Sequence, residues 1–291
     1  MPRISLVVCV FQEGDLLARL LQHAAGLYDD LVVVHDGPDE TNVRALVEKA
    51  GGKFFEAPRD FQQEPHWPLA WGKAAHDWIL RLDADELPSE AMRDWLKKFR
   101  AGAEPPENIS GFTCVWPLWN GTRAVSRRWP AGRHFLFHRQ RVRFFGMVEQ
   151  TPVPDGAWET TDLVLHHQPK RKSYGLVNLI FRKQAYRWRA RIARSLLDEP
   201  AALNCWRWEN RPWPVSWQDI RQHPFRTAFL RLTRDFLRTL RDQWRREGRI
   251  FPFAAISGPV HHTLIAIEYC RLRRLKARGR LDENTQRWAF K

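Results

Sequence analysis

The chain has 291 residues, 44% of them apolar, and this composition excludes a disordered protein because such a chain can bury a sizeable core. It is strongly basic, with a formal net charge of +14 at pH 7, but the charge is unevenly distributed. Residues 171–291 carry 27 Lys and Arg against 10 Asp and Glu, a net +17, whereas residues 1–170 carry a net −3. The asymmetry predicts a polyanionic partner for the C-terminal part, either nucleic acid or an anionic lipid surface.

Other features of the sequence exclude further classes of protein. The four cysteines lack CxxC spacing, which argues against a disulfide framework or a zinc site and favours a reducing, cytoplasmic compartment. No apolar run approaches the ~20 residues that a membrane-spanning helix needs. The N-terminal stretch ISLVVCVF is shorter than the apolar region of a signal peptide usually is, so we predict that it forms a first strand.

Strands and helices are predicted to alternate along the first part of the chain. The predicted elements are strand 4–11, helix 13–26, strand 30–36, helix 40–51, strand 53–58, a helical stretch near 68–77, strand 78–82 and helix 88–100. Short strands that alternate with helices of this length indicate βαβ units. We therefore expect an α/β fold with a mostly parallel sheet and flanking helices.

The pattern changes after the last of these helices. Asn120–Gly121 lies between two runs rich in strand-forming residues and predicts a hairpin, with further strands expected at 134–145 and 161–166. From residue 171 onward the sequence is helical in pattern and rich in arginine and tryptophan. We therefore predict two parts, an α/β domain over 1–170 and a basic helical extension over 171–291.

Two acidic turns follow predicted strands. Asp83 and Asp85 come directly after strand 78–82, and Asp36 ends strand 30–36, at the strand ends where open α/β sheets bind ligands. Because strand side chains repeat every second residue, Asp83 and Asp85 should project to the same side, where two carboxylates need a cation or hydrogen-bond donors. A hard divalent cation such as Mg²⁺ or Mn²⁺, shared with substrate phosphates, is the usual partner. An isolated Asp-x-Asp sequence, however, is more often an exposed acidic loop.

Five segments of the chain resemble the family 2 glycosyltransferases of the GT-A fold, and more closely their lipopolysaccharide-core branch. They are ISLVVCVFQEGDLLARLL, LVVVHDGPDET, GKAAHDWILRLDADELP, FGMVEQTP and LVLHHQP. The resemblance implies an inverting, metal-dependent enzyme of the hexosyltransferase type. Such an enzyme would move a sugar from a nucleotide-diphosphate donor to a saccharide or lipid-linked anionic acceptor, in lipopolysaccharide core or other cell-envelope glycan synthesis.

The resemblance also implies roles for individual residues in the nucleotide-sugar site. Asp85 matches the metal ligand of the family, and Asp83 matches a contact to the ribose or to the metal. Asp36 matches the acid that recognises the nucleobase. Glu13 falls where the family closes the nucleotide pocket, and Lys73 falls where a basic residue often precedes the metal-binding strand. The turn after the second strand usually reads DGSTD in this family, and here it reads DGPDE.

Later residues are candidates for the catalytic base and for a further metal ligand. Inverting transfer needs a carboxylate that takes the proton from the acceptor hydroxyl, and the resemblance implies Glu149, although a surface carboxylate paired with an arginine is an equal alternative. His166 is the implied additional metal ligand, with His167 beside it, although a histidine with a satisfied hydrogen bond is more common. Arg133 is positioned to meet diphosphate or acceptor charge, but a solvated strand face is the more frequent place for such a residue.

The basic extension suits an anionic membrane surface, because amphipathic helices with Arg on one face and Trp, Phe and Leu on the other insert at such interfaces. The alternative is that the apolar stripes pack on the first domain and the arginines are solvated. We expect a cytoplasmic protein, peripheral on the inner face of the cytoplasmic membrane. Three other functions stay open: a polyprenyl-phosphate glycosyltransferase, a non-catalytic basic nucleic-acid-binding protein, and a membrane scaffold with a decayed transferase domain.

Overall fold

The computed structural model describes residues 1–124, 132–148, 150–170, 175–181, 183–197, 204–208, 211–212, 214–248, 250 and 252–281. The chain forms two compact units. The first comprises Met1–Lys172 and Asn204–Trp208, and the second comprises Ser173–Leu203 and Glu209–Lys291. The sequence predicts a single boundary at residue 170. In the structure the segment Asn204–Trp208 also belongs to the first unit.

The first unit is built on a mixed sheet with flanking helices. Its described strands are β1 Ile4–Val10, β2 Asp30–Asp36, β3 Lys53–Ala57, β4 Trp78–Arg81, β5 Glu86–Pro88, β6 Ile109–Val115, β7 Arg133–His138, β8 Val142–Arg143, β9 Val153–Pro154 and β10 Ala157–His167. Its described helices are α1 Gly14–His23, α2 Val43–Lys49, α3 Trp67–Lys73 and α4 Glu90–Ala101, with 3₁₀ turns at Glu64–His66 and Arg139–Arg141.

Within the described residues, eight strands form one sheet in the order β3-β2-β1-β4-β7-β6-β10-β5, and β8 pairs with β9 separately. Strands β3, β2, β1 and β4 are parallel to one another. Strand β7 runs antiparallel to both neighbours, β10 is parallel to β6, and β5 is antiparallel to β10. The predicted α/β architecture with a mostly parallel sheet is thus confirmed.

The central strand β1 explains why this sheet forms. All seven of its residues are buried, as expected for a parallel strand that is covered on both faces. Leu6 and Val8 pack in one core cluster with Leu17 of α1, whereas Val7 packs in a second cluster with Trp71 of α3. The alternation of strand side chains therefore joins β1 to helices on both sides of the sheet.

The register of the parallel strands brings three strand ends together. Val10 lies opposite His35 of β2, and Val7 lies opposite Arg81 of β4. The loops that follow β1, β2 and β4 therefore leave the sheet at the same carboxyl edge. This is the edge at which open α/β sheets bind ligands.

The second unit is helical in the residues that the structure describes. Its helices are α5 Leu176–Phe181, α6 Lys183–Ser195, α7 Val215–Gln222, α8 Pro224–Leu230, α9 Phe236–Glu247 and α10 Pro252–Ala277, with a π-helical turn, Arg231–Asp235, between α8 and α9. The long helix α10 packs against α6, α8 and α9. None of the described helices has the combination of length and apolar character that is needed to cross a membrane.

Candidate active site

Asp36 ends β2, and its buried carboxylate is fully engaged by donors from a later loop. Oδ1 accepts hydrogen bonds from Asp60 N at 2.6 Å and His66 Nε2 at 2.8 Å, and Oδ2 accepts from Arg59 Nη1 at 2.8 Å and Phe61 N at 2.9 Å. A carboxylate has about four lone-pair sites, so protein donors occupy all of them. Recognition of a nucleobase by this carboxylate, which the resemblance implies, would require one of these donors to be displaced.

The loop that Asp36 anchors carries strained backbone and a stacked cation. Phe61 has φ +67°, a conformation that bulky residues rarely adopt, and its N–H bond to Asp36 holds it there. The Arg59 guanidinium lies 3.2 Å from the ring centroid of Phe11 and 4.4 Å from that of Phe61. Phe11 directly follows β1 and is 37% exposed. An aromatic and cationic surface therefore borders the ends of β1 and β2.

Glu86, the first residue of β5 and directly after the turn that follows β4, is a fully buried carboxylate that the sequence analysis did not assign. Oε1 accepts from Trp116 Nε1 at 2.7 Å, and Oε2 accepts from Asp83 N at 2.8 Å and Arg133 Nη2 at 3.1 Å. Burial raises the pKa of Glu86 to about 7, although the Arg133 guanidinium opposes the rise. Glu86 therefore fixes the conformation of the turn that carries Asp83 and Asp85, which we call the acidic turn. The position of Glu86 directly after Asp85 was the available sequence signal.

Arg133, the first residue of β7, is the counter-ion of this turn. Its Nη2 lies 2.8 Å from Asp83 Oδ1, and its Nε lies 3.0 Å from Glu86 Oε1. Burial would raise the pKa of Asp83, but the guanidinium groups of Arg133 and Arg81 outweigh it and hold that pKa below its usual value. Arg133 therefore lies in a half-buried set of ion pairs, whereas its sequence context favours a solvated strand face.

Asp85 faces His167 of β10. Asp85 Oδ2 lies 3.3 Å from His167 Nε2, and the His167 ring stacks on Trp116 with centroids 4.3 Å apart. Burial would lower the pKa of His167, but the hydrogen bond and charge of Asp85 raise it above its usual value. His166 projects from the other side of β10, because strand side chains alternate, and burial and the nearby His23 lower its pKa. The structure thus brings His167, and not the predicted ligand His166, to Asp85.

Glu13 lies between β1 and α1, and the carboxylates of the acidic turn affect its pKa. Burial raises the pKa of Glu13 to about 7, and the charges of Asp85 and Asp83 raise it further against the opposing effect of Lys170. Burial is the largest cause of the rise, and the added effect of the two aspartates indicates that negative charge gathers at this edge of the sheet. A cation at this edge of the sheet would offset that charge.

The structure places Lys73 away from this cluster, and Glu149 lies outside the residues that it describes. Lys73 is exposed at the end of α3, before β4 begins. Its carbonyl oxygen accepts a bond from Lys53 Nζ at 3.5 Å, and Lys53 is the first residue of β3. Lys73 therefore lies at the amino edge of the parallel strands, opposite the edge that carries Asp83.

The donor set at the acidic turn fits a metal only in part. Among the described residues, no group of three or more His, Cys, Asp or Glu side chains is arranged to hold a metal ion. Magnesium, however, is commonly held by one or two carboxylates and completed by substrate phosphates and water. Asp83 is already paired with Arg133 at 2.8 Å, whereas Asp85 has the longer 3.3 Å contact with His167 and contributes to the negative charge near Glu13. The residues therefore fit a divalent cation that Asp85 holds together with a phosphate ligand, and they do not form a cage by themselves.

Comparisons with known proteins give partial likenesses. No family model matches the chain. A TPR repeat-containing protein of Synechococcus elongatus is 30% identical over 112 residues, which are 38% of this chain and 26% of that protein, so the match spans about a quarter of the relative's length.

Three solved structures show some likeness to the chain. The match to S. aureus TarS includes 85% of this chain and 46% of the TarS chain, with a TM-score of 0.39 and 10% identity. A structure of TarS residues 1–349 is covered over 92% by 95% of this chain, with a TM-score of 0.36 and 11% identity. A CMP:2-keto-3-deoxy-manno-octonic acid synthetase in complex with CTP is covered over 71% by 47% of this chain, with a TM-score of 0.30 and 15% identity. Likenesses of this size do not assign the chain to a family.

Proposed function

We propose that the chain is a glycosyltransferase of the GT-A fold that binds a nucleotide-diphosphate sugar at the carboxyl edge of its sheet. The observation that carries the proposal is the convergence of acids from three strand ends: Glu13 after β1, Asp36 at the end of β2, and Asp83 and Asp85 after β4. Half-buried Arg133 lies within the same cluster. Carboxylates and a guanidinium at such an edge suit a phosphorylated ligand that arrives with a divalent cation. The sequence resemblance to family 2 glycosyltransferases supports the same function.

In this proposal Asp85 holds Mg²⁺ or Mn²⁺ together with the phosphates of the donor. When bound, the metal would stabilise negative charge on the departing diphosphate. Asp83 is kept ionised by Arg133, and the pair fixes the geometry of the turn from which Asp85 projects. Glu86 holds both the Asp83 backbone N–H and the Arg133 guanidinium, so it positions this turn without contacting the donor.

We assign Asp36 an indirect part in donor binding. Its carboxylate fixes the loop that carries Arg59 and Phe61, and Arg59 in turn stacks on exposed Phe11. A flat surface of rings and a guanidinium suits the face of a nucleobase or the edge of a ribose. Asp36 would therefore shape this surface, while the surface itself makes the contact.

The test of the donor site is calorimetric titration of the protein with UDP, GDP, ADP and CMP, each with Mn²⁺ and with EDTA. We expect metal-dependent binding of one nucleotide, its loss in Asp85→Ala, and unchanged binding in Lys73→Ala, because Lys73 lies at the opposite edge. Circular dichroism of Asp85→Ala should match that of the unsubstituted protein. Absence of nucleotide binding under every condition would overturn the proposal.

The finer proposal is inverting transfer to a saccharide or lipid-linked anionic acceptor in lipopolysaccharide core or other cell-envelope glycan synthesis, with Glu149 as the base. A base acts only in the chemical step, so Glu149→Gln is expected to keep donor binding and to lose about 10²-fold or more in transfer. The matched control is Glu159→Gln, an exposed carboxylate on β10. Transfer is measured as release of the nucleoside diphosphate with lipopolysaccharide-core acceptor. Near-normal turnover of Glu149→Gln would show that another acid is the base.

A further inference from the structure

Helices α8 and α9 of the second unit leave large apolar side chains in solvent. The exposed fractions are 59% for Phe225, 64% for Phe229, 48% for Leu230, 63% for Leu237 and 62% for Trp244. Soluble proteins usually expose large apolar side chains singly, whereas here five of them lie within 20 positions. Exposed apolar surface of this kind marks an interaction site.

The apolar residues of these helices are not those that build the core of the unit. Pro224, Ala228 and Gln243 are buried, and α8, the π-helical turn and α9 all pack against α10. The helices therefore already bury one side against α10. The exposed residues lie elsewhere on the same helices.

The exposed apolar residues are interleaved with arginine. Residues 224–247 contain seven Arg against three acidic residues. On α9, Leu237, Arg241 and Trp244 recur at spacings of four and three and therefore lie on one face. Arg245 lies one turn beyond Arg241, and both are exposed. We call the exposed apolar and arginine side chains of α8 and α9 the basic apolar face.

We propose that the basic apolar face binds the interface of an anionic phospholipid bilayer. Its positive charge complements anionic headgroups, and its Leu, Phe and Trp side chains suit the boundary between headgroups and acyl chains. A nucleic acid would use the same charge, and its bases could stack on Phe229 or Trp244. It has no aliphatic region, however, to receive Leu230 and Leu237. The presence of both features on one surface therefore favours a bilayer over a polynucleotide. The proposal does not depend on the proposed glycosyltransferase activity.

The test is sedimentation of the full-length protein with phosphatidylcholine vesicles, with and without phosphatidylglycerol. One variant, Leu237→Gln with Trp244→Gln, removes apolar contacts, and a second, Arg241→Gln with Arg245→Gln, removes charge. The matched controls are Ile267→Gln, which is 50% exposed on α10, and Lys97→Gln with Lys98→Gln on α4. A parallel titration uses single-stranded RNA and duplex DNA. Circular dichroism checks folding, and the single variants Trp244→Gln and Arg245→Gln replace any double variant that does not fold.

We expect sedimentation with the anionic vesicles and not with the neutral ones. The arginine variant should bind about thirtyfold more weakly, because each basic residue near an anionic surface contributes about fivefold. The apolar variant should lose about tenfold or more in affinity for the anionic vesicles. The control variants should bind them as tightly as the unsubstituted protein. No binding to anionic vesicles, equal loss in the controls, or RNA binding that only the arginine variant loses would each overturn the proposal. Nucleotide titrations of the same variants should be unaffected.

Discussion

Replacement of Glu13 by Gln is expected to stabilise the protein at alkaline pH and to leave its stability unchanged at acid pH. Burial and the neighbouring Asp85 and Asp83 raise the pKa of Glu13 from 4.5 to about 7. At about 1.4 kcal/mol for each pKa unit, ionisation of this group costs the folded state about 3 kcal/mol. Gln is always neutral and does not incur that cost.

The direction of the pH dependence follows from the raised pKa. Below pH 4.5 the carboxyl is protonated in both the folded and the unfolded chain, so the Gln variant and the unsubstituted protein should be equally stable. Between pH 4.5 and about 7 the unfolded chain loses this proton while the folded chain keeps it, so the stability of the unsubstituted protein falls. Above about pH 7 the difference should reach its full value.

The assay is urea unfolding at about pH 4, 6 and 8, which yields the free energy of unfolding of each variant. The matched control is Glu48→Gln, a carboxylate with 60% side-chain exposure on α2, which should show no such pH dependence. In Asp85→Asn the Glu13 difference should shrink, because one of its causes has been removed. If Glu13→Gln and the unsubstituted protein differed equally at all pH values, the pKa of Glu13 would not be raised as the structure indicates. If Asp85→Asn left the difference unchanged, Glu13 would not be coupled to Asp85.

Two further substitutions test the supports of the site. Asp36→Asn places an amide N–H₂ among four donors and should lower the free energy of unfolding by about 3–5 kcal/mol, measured by urea unfolding; a loss below about 1 kcal/mol would contradict the four-bond anchor. Glu86→Ala leaves Trp116 Nε1 and Asp83 N without their acceptor and Arg133 with one acid fewer, so a similar loss is expected, with weaker nucleotide binding in the fraction that folds. Glu159→Gln, at an exposed position on β10, is a suitable control for both, with an expected change of about 0.5 kcal/mol or less.

The sheet could be predicted because its signals are local. Strand β1 is apolar throughout since both of its faces are covered, and α1 repeats its buried Leu16, Leu17, Leu20 and Leu21 at helical spacing. The positions of Asp36, Asp83 and Asp85 at strand ends followed from the same pattern. Each of these features depends on residues that are neighbours along the chain.

The partners of these acids could not be predicted because they are distant in sequence. Arg133 reaches Glu86 across 47 positions, and the donors to Asp36 lie between 23 and 30 positions away. The placement of Lys73 at the site was wrong because nearness in sequence does not ensure nearness in space. Lys73 is close to Asp83 in sequence, but β4 lies between them, and its four residues span about 13 Å from one edge of the sheet to the other.

The buried charges around the acidic turn are difficult to explain by stability alone. Burial and the nearby Arg133 lower the pKa of Arg81 to about 9, and within the described residues Arg81 Nε and Nη1 have no hydrogen-bond partner. Arg81 keeps one hydrogen bond, from Nη2 to His134 O at 3.2 Å, so its guanidinium is only partly satisfied. Glu13, between β1 and α1, carries the cost of its burial and of the nearby charges of the acidic turn. Incompletely satisfied charged groups of both signs cost free energy, and such groups concentrate at functional sites. A ligand that brings both signs, a divalent cation bound to a diphosphate, would offset the two costs together, which a cation or an anion alone would not.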